Sequence, residues 1–84
     1  MLDYHAAYYT IEDGWIMARV LDYPGVVTQG KDLAHARHML RDALREMALW
    51  AREEGKSLPR PDPTAADATA QVQEPIAIPI STAK

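Results

Sequence analysis

The chain has 84 residues, which is enough for one small domain with a hydrophobic core of marginal size. Its formal net charge of −3 argues against sequence-independent binding of nucleic acid by the whole molecule, and the lack of cysteine excludes disulfides and thiolate metal sites. With no long apolar run and no basic, apolar N-terminal segment, the sequence predicts a cytoplasmic protein without membrane contact.

The first quarter of the sequence predicts a β-hairpin. Tyr4 to Ile11 is aromatic and β-prone, Glu12-Asp13-Gly14 supplies a turn, and Trp15 to Leu21 forms the second strand. Side chains alternate between the two faces of a strand. The small apolar set is expected to face the core: Ile16, Ala18 and Val20. The opposite face is expected to carry the other set: Trp15, Met17, Arg19 and Leu21.

A break, a short third strand and a helix follow. Pro24-Gly25 makes a bend because proline fixes φ and glycine permits positive φ, and Val26 to Gln29 is the predicted strand. Asp32 is suited to cap a helix that runs to about Glu54, where Gly55 ends it. One apolar stripe is expected to pack on the sheet: Leu33, Ala36, Leu40, Ala43, Leu44, Met47 and Ala51.

A Pro- and Ala-rich connection over residues 59–74 is predicted to lead to a last strand. Alternating prolines at Pro59, Pro61 and Pro63 exclude a helix there. Residues 75–80, PIAIPI, have strand character, and Pro79 cannot donate to a ladder, so this strand is expected at a sheet edge. The predicted fold class is α+β, in the order βββα–connection–β. A small, mostly antiparallel sheet would carry one helix on one face, in a single domain of residues 1–84 with its core in 4–58.

Two candidate ligand sites are weak. Residues 25–31 give most of the phosphate-loop pattern G-x-x-x-x-G-K-[ST], but Val26 to Gln29 favours an extended strand. Asp32 stands where the pattern needs a hydroxyl, and its charge would repel phosphate. His35 and His38 have a metal-compatible spacing, to which His5 could add a third ligand, but no acid is clearly placed to join them. We therefore predict neither a cofactor nor a metal.

The order and spacing of several features are more informative than any one of them. The first three are a hairpin strand (Trp15–Leu21), a Pro-Gly break (Asp22–Gly25) and a short strand ending in Gly (Val26–Gly30). The next three are an Ala- and Leu-rich helix (Leu33–Ala51), a single Gly (Gly55) and a Leu-Pro-x-Pro exit (Leu58–Pro61). Over most of residues 4–61 the chain resembles the HicB family of antitoxins, and PIAIPI looks like that family's closing strand.

The resemblance implies a partial ribonuclease H-like fold that binds a small basic RNA-cleaving toxin of the HicA type and blocks it. Many such antitoxins have a C-terminal DNA-binding domain, which is expected to be absent here, so contact with nucleic acid stays open. Ribonuclease H chemistry needs clustered carboxylates around two metal ions. The predicted first and last strands, YHAAYYTI and PIAIPI, contain no acid. We therefore expect a binding module rather than an enzyme.

Eight residues are predicted candidates for partner binding: Asp13, Trp15, Arg19, Asp22, Tyr23, Arg37, Arg41 and Arg45. Residues 1–30 contain four acids and a single arginine, so this half is expected to steer a basic toxin. Aromatic residues are common binding anchors, although Trp50 is expected in the core. The three helix arginines have i, i+4 spacing and form either a solvated face or a docking ridge.

A sheet covered on one face by one helix leaves its other face half bare. Trp15, Met17 and Arg19 are expected on that face, and an exposed apolar patch usually has a partner. We therefore predict a homodimer or larger homo-oligomer, formed through that face or by pairing of edge strands. The alternative to an antitoxin is an orphan oligomeric scaffold with no toxin, for which the arginine ridge offers a contact surface for nucleic acid.

Overall fold

The computed structural model describes residues 2–78, in which four strands and one long helix occur in the predicted order. The elements are β1 (Leu2–Thr10), β2 (Ile16–Val20), β3 (Val27–Gly30), α1 (Leu33–Glu53) and β4 (Val72–Ile78). The strands pair antiparallel in one sheet of order β3-β2-β1-β4. The predicted α+β fold class is confirmed. Among these described residues, no helix is both long and apolar enough to span a membrane.

The two faces of the sheet differ because side chains alternate along each strand. Ala18 and Val20 of β2 face the helix and are buried, as predicted, and Ile16 packs beside them. Met17 and Arg19 are on the opposite face, also as predicted. The core lies between the sheet and the helix: Tyr4, Ala6, Tyr8, Ala18, Val20, Tyr23, Val26, Ala36, Leu40, Leu44, Ala48, Ile76 and Ile78.

Both ends of α1 follow from local sequence. The Asp32 carboxylate accepts a hydrogen bond from the His35 amide at 2.8 Å, which caps the N-terminus. At the other end Gly55 has φ 72° and donates to the Arg52 carbonyl, while the Lys56 amide donates to the Ala51 carbonyl. This pair of bonds is a Schellman motif, which requires the left-handed conformation at Gly55. The predicted cap and stop are thus confirmed.

Gly30 allows the helix to start directly against the end of β3. A Cβ atom at Gly30 would lie 2.5 Å from the Ala36 amide nitrogen. That distance is far inside normal contact, so no other residue fits without moving the backbone. Because β3 and α1 are in such close contact, the helix axis is fixed relative to the sheet within a few residues of the strand.

The last strand begins earlier than predicted. β4 starts at Val72 rather than at residue 75, because Val72 lies opposite Tyr8 and the preceding Gln71 amide bonds the Tyr8 carbonyl at 2.9 Å. Its position at a sheet edge is as predicted. Pro75 lies opposite His5, and the His5 carbonyl accepts a hydrogen bond from the Leu21 amide on the β2 side. His5 and Pro75 are therefore a non-hydrogen-bonded pair, so the Pro75 nitrogen points away from β1 and no ladder bond is lost. The predicted strand residues 79 and 80 lie outside the described residues.

The connection from α1 to β4 crosses to the face of the sheet opposite the helix. We call residues 59–71 the strap. The Tyr4 hydroxyl donates to the Pro59 carbonyl at 2.7 Å, and the Tyr9 hydroxyl donates to Asp67 at 2.7 Å. Ala7, which faces away from the helix, is fully buried. The face opposite the helix is thus half bare, as predicted, but its exposed part is the β2–β3 half, because the strap covers the residues of β1.

Two successive turns of the same sequence pattern hold the strap in shape. Asp-x-Thr-Ala occurs at residues 62–65 and again at residues 67–70. In each turn the Asp carboxylate accepts bonds from the amide and the hydroxyl of the Thr two residues later, at 2.9 and 2.7 Å. The Ala amide then donates to the Asp carbonyl at 3.0 Å. Asp and Thr favour such local turns, so the strap is ordered despite having no regular secondary structure.

Candidate protein-binding surface

The turn between β1 and β2 presents acidic and apolar side chains together. We call residues 11–15 the hairpin tip. Ile11 and Trp15 are 39% and 38% exposed, and they flank the exposed Glu12 and Asp13. The Ile11 amide donates to the Trp15 carbonyl at 2.8 Å, which closes the turn, and Asp13 adopts φ 60°, a conformation that Asp tolerates. Of the predicted candidates, Asp13 and Trp15 are thus brought together, in a setting suited to a basic protein surface.

Arg19 is held by the strap rather than projecting freely. Its Nη2 atom lies 3.3 Å from Asp67 Oδ2, its Nε donates to the Tyr9 hydroxyl at 3.2 Å, and its guanidinium lies 5.7 Å from the Tyr9 ring centre. Hydrogen bonds from the hydroxyls of Thr69 and Tyr9 lower the pKa of Asp67 to about 2. Arg19 therefore helps to fasten the strap, although about half of its side chain is still exposed.

Asp22 is a structural clamp and not a surface charge. Its carboxylate accepts bonds from the His5 and Asp62 amides, both at 2.9 Å, and lies 2.8 Å from His5 Nδ1. Its side chain is only 3% exposed. Burial alone would raise the pKa of Asp22, but the bonds from Asp62 and His5 outweigh it and hold the pKa below its ordinary value. The expectation that Asp22 steers a partner is therefore corrected: its charge joins β1, the β2–β3 turn and the strap.

Tyr23 belongs to the core. It is buried against Tyr4, with ring centres 5.3 Å apart and ring planes tilted by 58°. Offset or tilted aromatic pairs of this kind stabilise a small core. Tyr23 is one of the predicted candidates for partner binding, but the structure turns it inward. Its ring is not accessible to a partner in this conformation.

The predicted arginine ridge divides into three different environments. Arg37 binds Glu74 of β4 through two hydrogen bonds, at 2.8 and 2.9 Å, and so fastens the helix to the edge strand. Arg45 pairs with Asp42 one turn earlier at 2.9 Å, while Arg41 is exposed. A ridge of three equivalent cations is therefore not what the fold presents.

Trp50 corrects a further expectation. Its side chain is 49% exposed and lies under the Lys56 ammonium, which is 5.2 Å from the ring centre. The buried residues of this helical turn are Ala48 and Ala51, and the side chain of Trp50 falls outside that stripe. The helix phase, rather than the size of the side chain, decides which residues of α1 face the sheet.

The three histidines serve the fold separately. His5 belongs to the Asp22 clamp, His35 Nδ1 accepts the Lys31 amide at 3.0 Å, and His38 lies 3.4 Å from Asp42. Within residues 2–78, no three side chains of His, Cys, Asp or Glu are grouped so that they could hold a metal ion.

Comparison with known proteins places the fold. No protein-family model matches the sequence, and no curated protein is significantly similar to it. Among solved structures, the chain is similar to the N-terminal domain of the antitoxin HicB from Burkholderia pseudomallei, with a TM-score of 0.76. The match covers 94% of this chain and 100% of that domain at 18% sequence identity. The fold is that of the HicB N-terminal domain, so the structural side of the predicted resemblance is confirmed.

Proposed function

We propose that this protein is an antitoxin-like binding module that acts in the cytoplasm by covering a small basic RNA-cleaving toxin of the HicA type. The observation that carries the proposal is the shared fold, because the matched solved structure is an antitoxin domain and this chain superimposes on all of it. The mechanism is occlusion: the module covers the catalytic surface of the toxin and excludes RNA from it.

The hairpin tip is the part of the surface best suited to that partner. An RNA-binding toxin carries a basic surface, and the carboxylates of Glu12 and Asp13 would attract it. Ile11 and Trp15 beside them offer apolar area that desolvates on contact, and a Trp is a frequent binding anchor. Among the other candidates, Arg41 is exposed on the helix and Arg19 is partly exposed on the sheet.

The carboxylates whose pKa values are shifted are bonded within the fold and are not poised as general acids. A general acid that works near neutral pH needs a raised carboxyl pKa. In residues 2–78, four carboxyl groups have a lowered pKa instead: Asp22, Asp62, Asp67 and Glu74. Each is ionised and bound to donors within the fold, which is a structural use of charge.

The test is to purify the tagged full chain from its own cells and identify what elutes with it. A stoichiometric small basic protein that cleaves RNA, and that the chain inhibits on remixing, supports the proposal. A matched variant is Asp13→Asn, because Asn accepts the same backbone conformation while removing the charge. We expect slower association and a weaker salt dependence. If RNA cleavage by the co-eluting protein is unaffected by the chain, the antitoxin proposal is wrong.

The second candidate, an orphan oligomeric scaffold, is favoured by the exposed edge strand β3. Val27 of that strand is 56% exposed, and no element of residues 2–78 pairs with its outer side. Recovery of this chain alone, as a self-assembled species without a basic partner, would favour the scaffold. Binding of RNA by the isolated chain, lost in Arg41→Gln, would favour contact with nucleic acid.

A further inference from the structure

The outer edge of β3 has backbone groups with no partner in the described chain. The Val20 amide donates to the Val26 carbonyl at 3.0 Å, and Thr28 lies opposite Ala18. Because hydrogen-bonded pairs alternate along an antiparallel ladder, Val26, Thr28 and Gly30 direct their backbone groups to β2. Val27 and Gln29 therefore direct their N–H and C=O groups outward, away from the sheet.

This edge also lacks the features by which proteins usually prevent strand pairing. β3 reads VTQG, with no charged residue and no proline. Its outward residue Val27 is the most exposed of the large hydrophobic side chains in residues 2–78. The other edge of the sheet is different, because Pro75 of β4 has no N–H to offer on its outer side. The β4 edge is thus protected against strand pairing at Pro75, whereas the β3 edge is free to pair with another strand.

We propose that two copies of this chain join through β3, antiparallel and about a two-fold axis at Thr28, to form one continuous eight-stranded sheet. In this register Val27 of one copy lies opposite Gln29 of the second copy, and the reverse holds by symmetry. Each of these two pairs exchanges two hydrogen bonds, so all the outward groups of Val27 and Gln29 find partners.

The charges next to β3 are compatible with this register. Lys31, the first charge after the strand, would lie opposite Gly25 of the second copy, so no like charges oppose each other directly. On the open face, Val27 lies between Arg19 of its own sheet and Gln29 of the second copy, whose methylene stem would cover it. The hairpin tip lies beyond the paired segment, so the inference does not depend on the proposed toxin binding.

The first test uses two double variants that place different charges at the same positions. In Val27→Lys/Gln29→Lys, like charges face each other across the two-fold axis, whereas in Val27→Glu/Gln29→Lys opposite charges do. A small interface of this kind has a Kd on the order of micromolar. We therefore expect the wild-type chain to sediment at twice its 9.4 kDa mass at concentrations of about 100 μM or above. The Lys/Lys variant should be monomeric. The Glu/Lys variant should be dimeric, and added salt should weaken its dimer. A monomeric wild type, or equal masses for both variants, overturns the proposal.

The second test exploits the absence of cysteine from the chain. Thr28→Cys places one thiol on each copy at the two-fold axis, in a non-hydrogen-bonded pair where Cβ atoms approach to roughly 4.5–5.5 Å. Thr10→Cys is the matched control, since Thr10 is exposed on β1, away from this edge. Mild oxidation should give covalent dimers of the Thr28 variant well above the yield from the control. Equal yields, or crosslinking only after a different protein is added, overturn the proposal.

Discussion

The guanidinium of Arg37 forms a bidentate salt bridge with the carboxylate of Glu74, with Nε–Oε2 and Nη2–Oε1 distances of 2.8 and 2.9 Å. This contact joins the second turn of α1 to the edge strand β4. The ring of Tyr8 lies beneath it, 6.0 Å from the guanidinium, and burial together with the Glu74 charge raises the pKa of Tyr8 to about 12. This polar contact adds to the burial of Ile76 and Ile78 of β4 in the core that the sheet shares with α1.

Replacing Glu74 with Gln should therefore loosen the edge strand. The amide keeps the size of the side chain but loses the charge-assisted pair, and we expect a loss of about 1 kcal/mol for such a partly exposed pair. Denaturant titration measures it. Glu46→Gln, at an exposed position of α1, is the control and should leave the unfolding midpoint unchanged. An equal effect of the two substitutions would assign no special role to the Arg37 contact.

Replacing Asp22 with Asn should be more damaging. The carboxylate receives three donors from His5 and Asp62, and an amide must turn an N–H group toward at least one of them. We expect a loss of about 2 kcal/mol, typical of a buried polar group left with a wrong partner. Asp3→Asn, on the exposed part of β1, is the matched control. Hydrogen exchange should show faster exchange of the His5 and Asp62 amides in the Asp22 variant only.

Stability should fall as the solution becomes acidic. Asp67 has its pKa lowered from 3.8 to about 2, so folding favours its ionised form. The stabilisation is complete above the unfolded pKa and is lost as the pH falls through the folded pKa, between about pH 4 and pH 2. Asp22, Asp62 and Glu74 have lowered pKa values and act in the same direction. Urea midpoints at several pH values should fall less steeply in Asp67→Asn than in wild type; an unchanged slope would contradict this.

Substitutions at two glycines should differ in their cause and size. Gly30→Ala forces a Cβ atom to within 2.5 Å of the Ala36 amide nitrogen, and we expect a loss of about 3 kcal/mol from the resulting backbone shift. Gly14 has φ 78° and no atom near its Cβ position, so Gly14→Ala should cost only about 1 kcal/mol, from strain. Gly14→Asn should restore part of that loss. Equal losses at both positions would contradict the close strand–helix contact.

The hairpin faces and the helix were predictable because their signals are local. Ala18 and Val20 follow strict strand alternation, and Asp32 and Gly55 mark the helix ends by chemistry that involves only nearby residues. Trp50 is exposed, contrary to the prediction, because the helix phase puts Ala48 and Ala51 on the buried face and the size of a side chain does not change that phase.

The course of the strap could not be predicted because its bonds join distant residues. Tyr9 and Asp67 are 58 positions apart, and no pattern near either of them indicates the other. For the same reason Asp22 reads as a surface charge in a turn until His5 and Asp62 are brought to it. Of the predicted binding residues, the sequence placed Asp13 in a turn and Trp15 at the start of the next strand, but it could not tell which other candidates the fold would use internally.

The pairing of the central strand β1 with β4 has a consequence during synthesis. Leu2 of β1 lies opposite Ile78 of β4. During synthesis β1 therefore leaves the ribosome first, and its partner β4 leaves only near the end of the described residues. Until Val72 and the residues after it emerge, the nascent sheet has the bare edges of both β3 and β1. Unpaired edges in incomplete chains promote aggregation. A polypeptide that stops within the strap therefore keeps two unpaired sheet edges and is prone to aggregate with other incomplete chains.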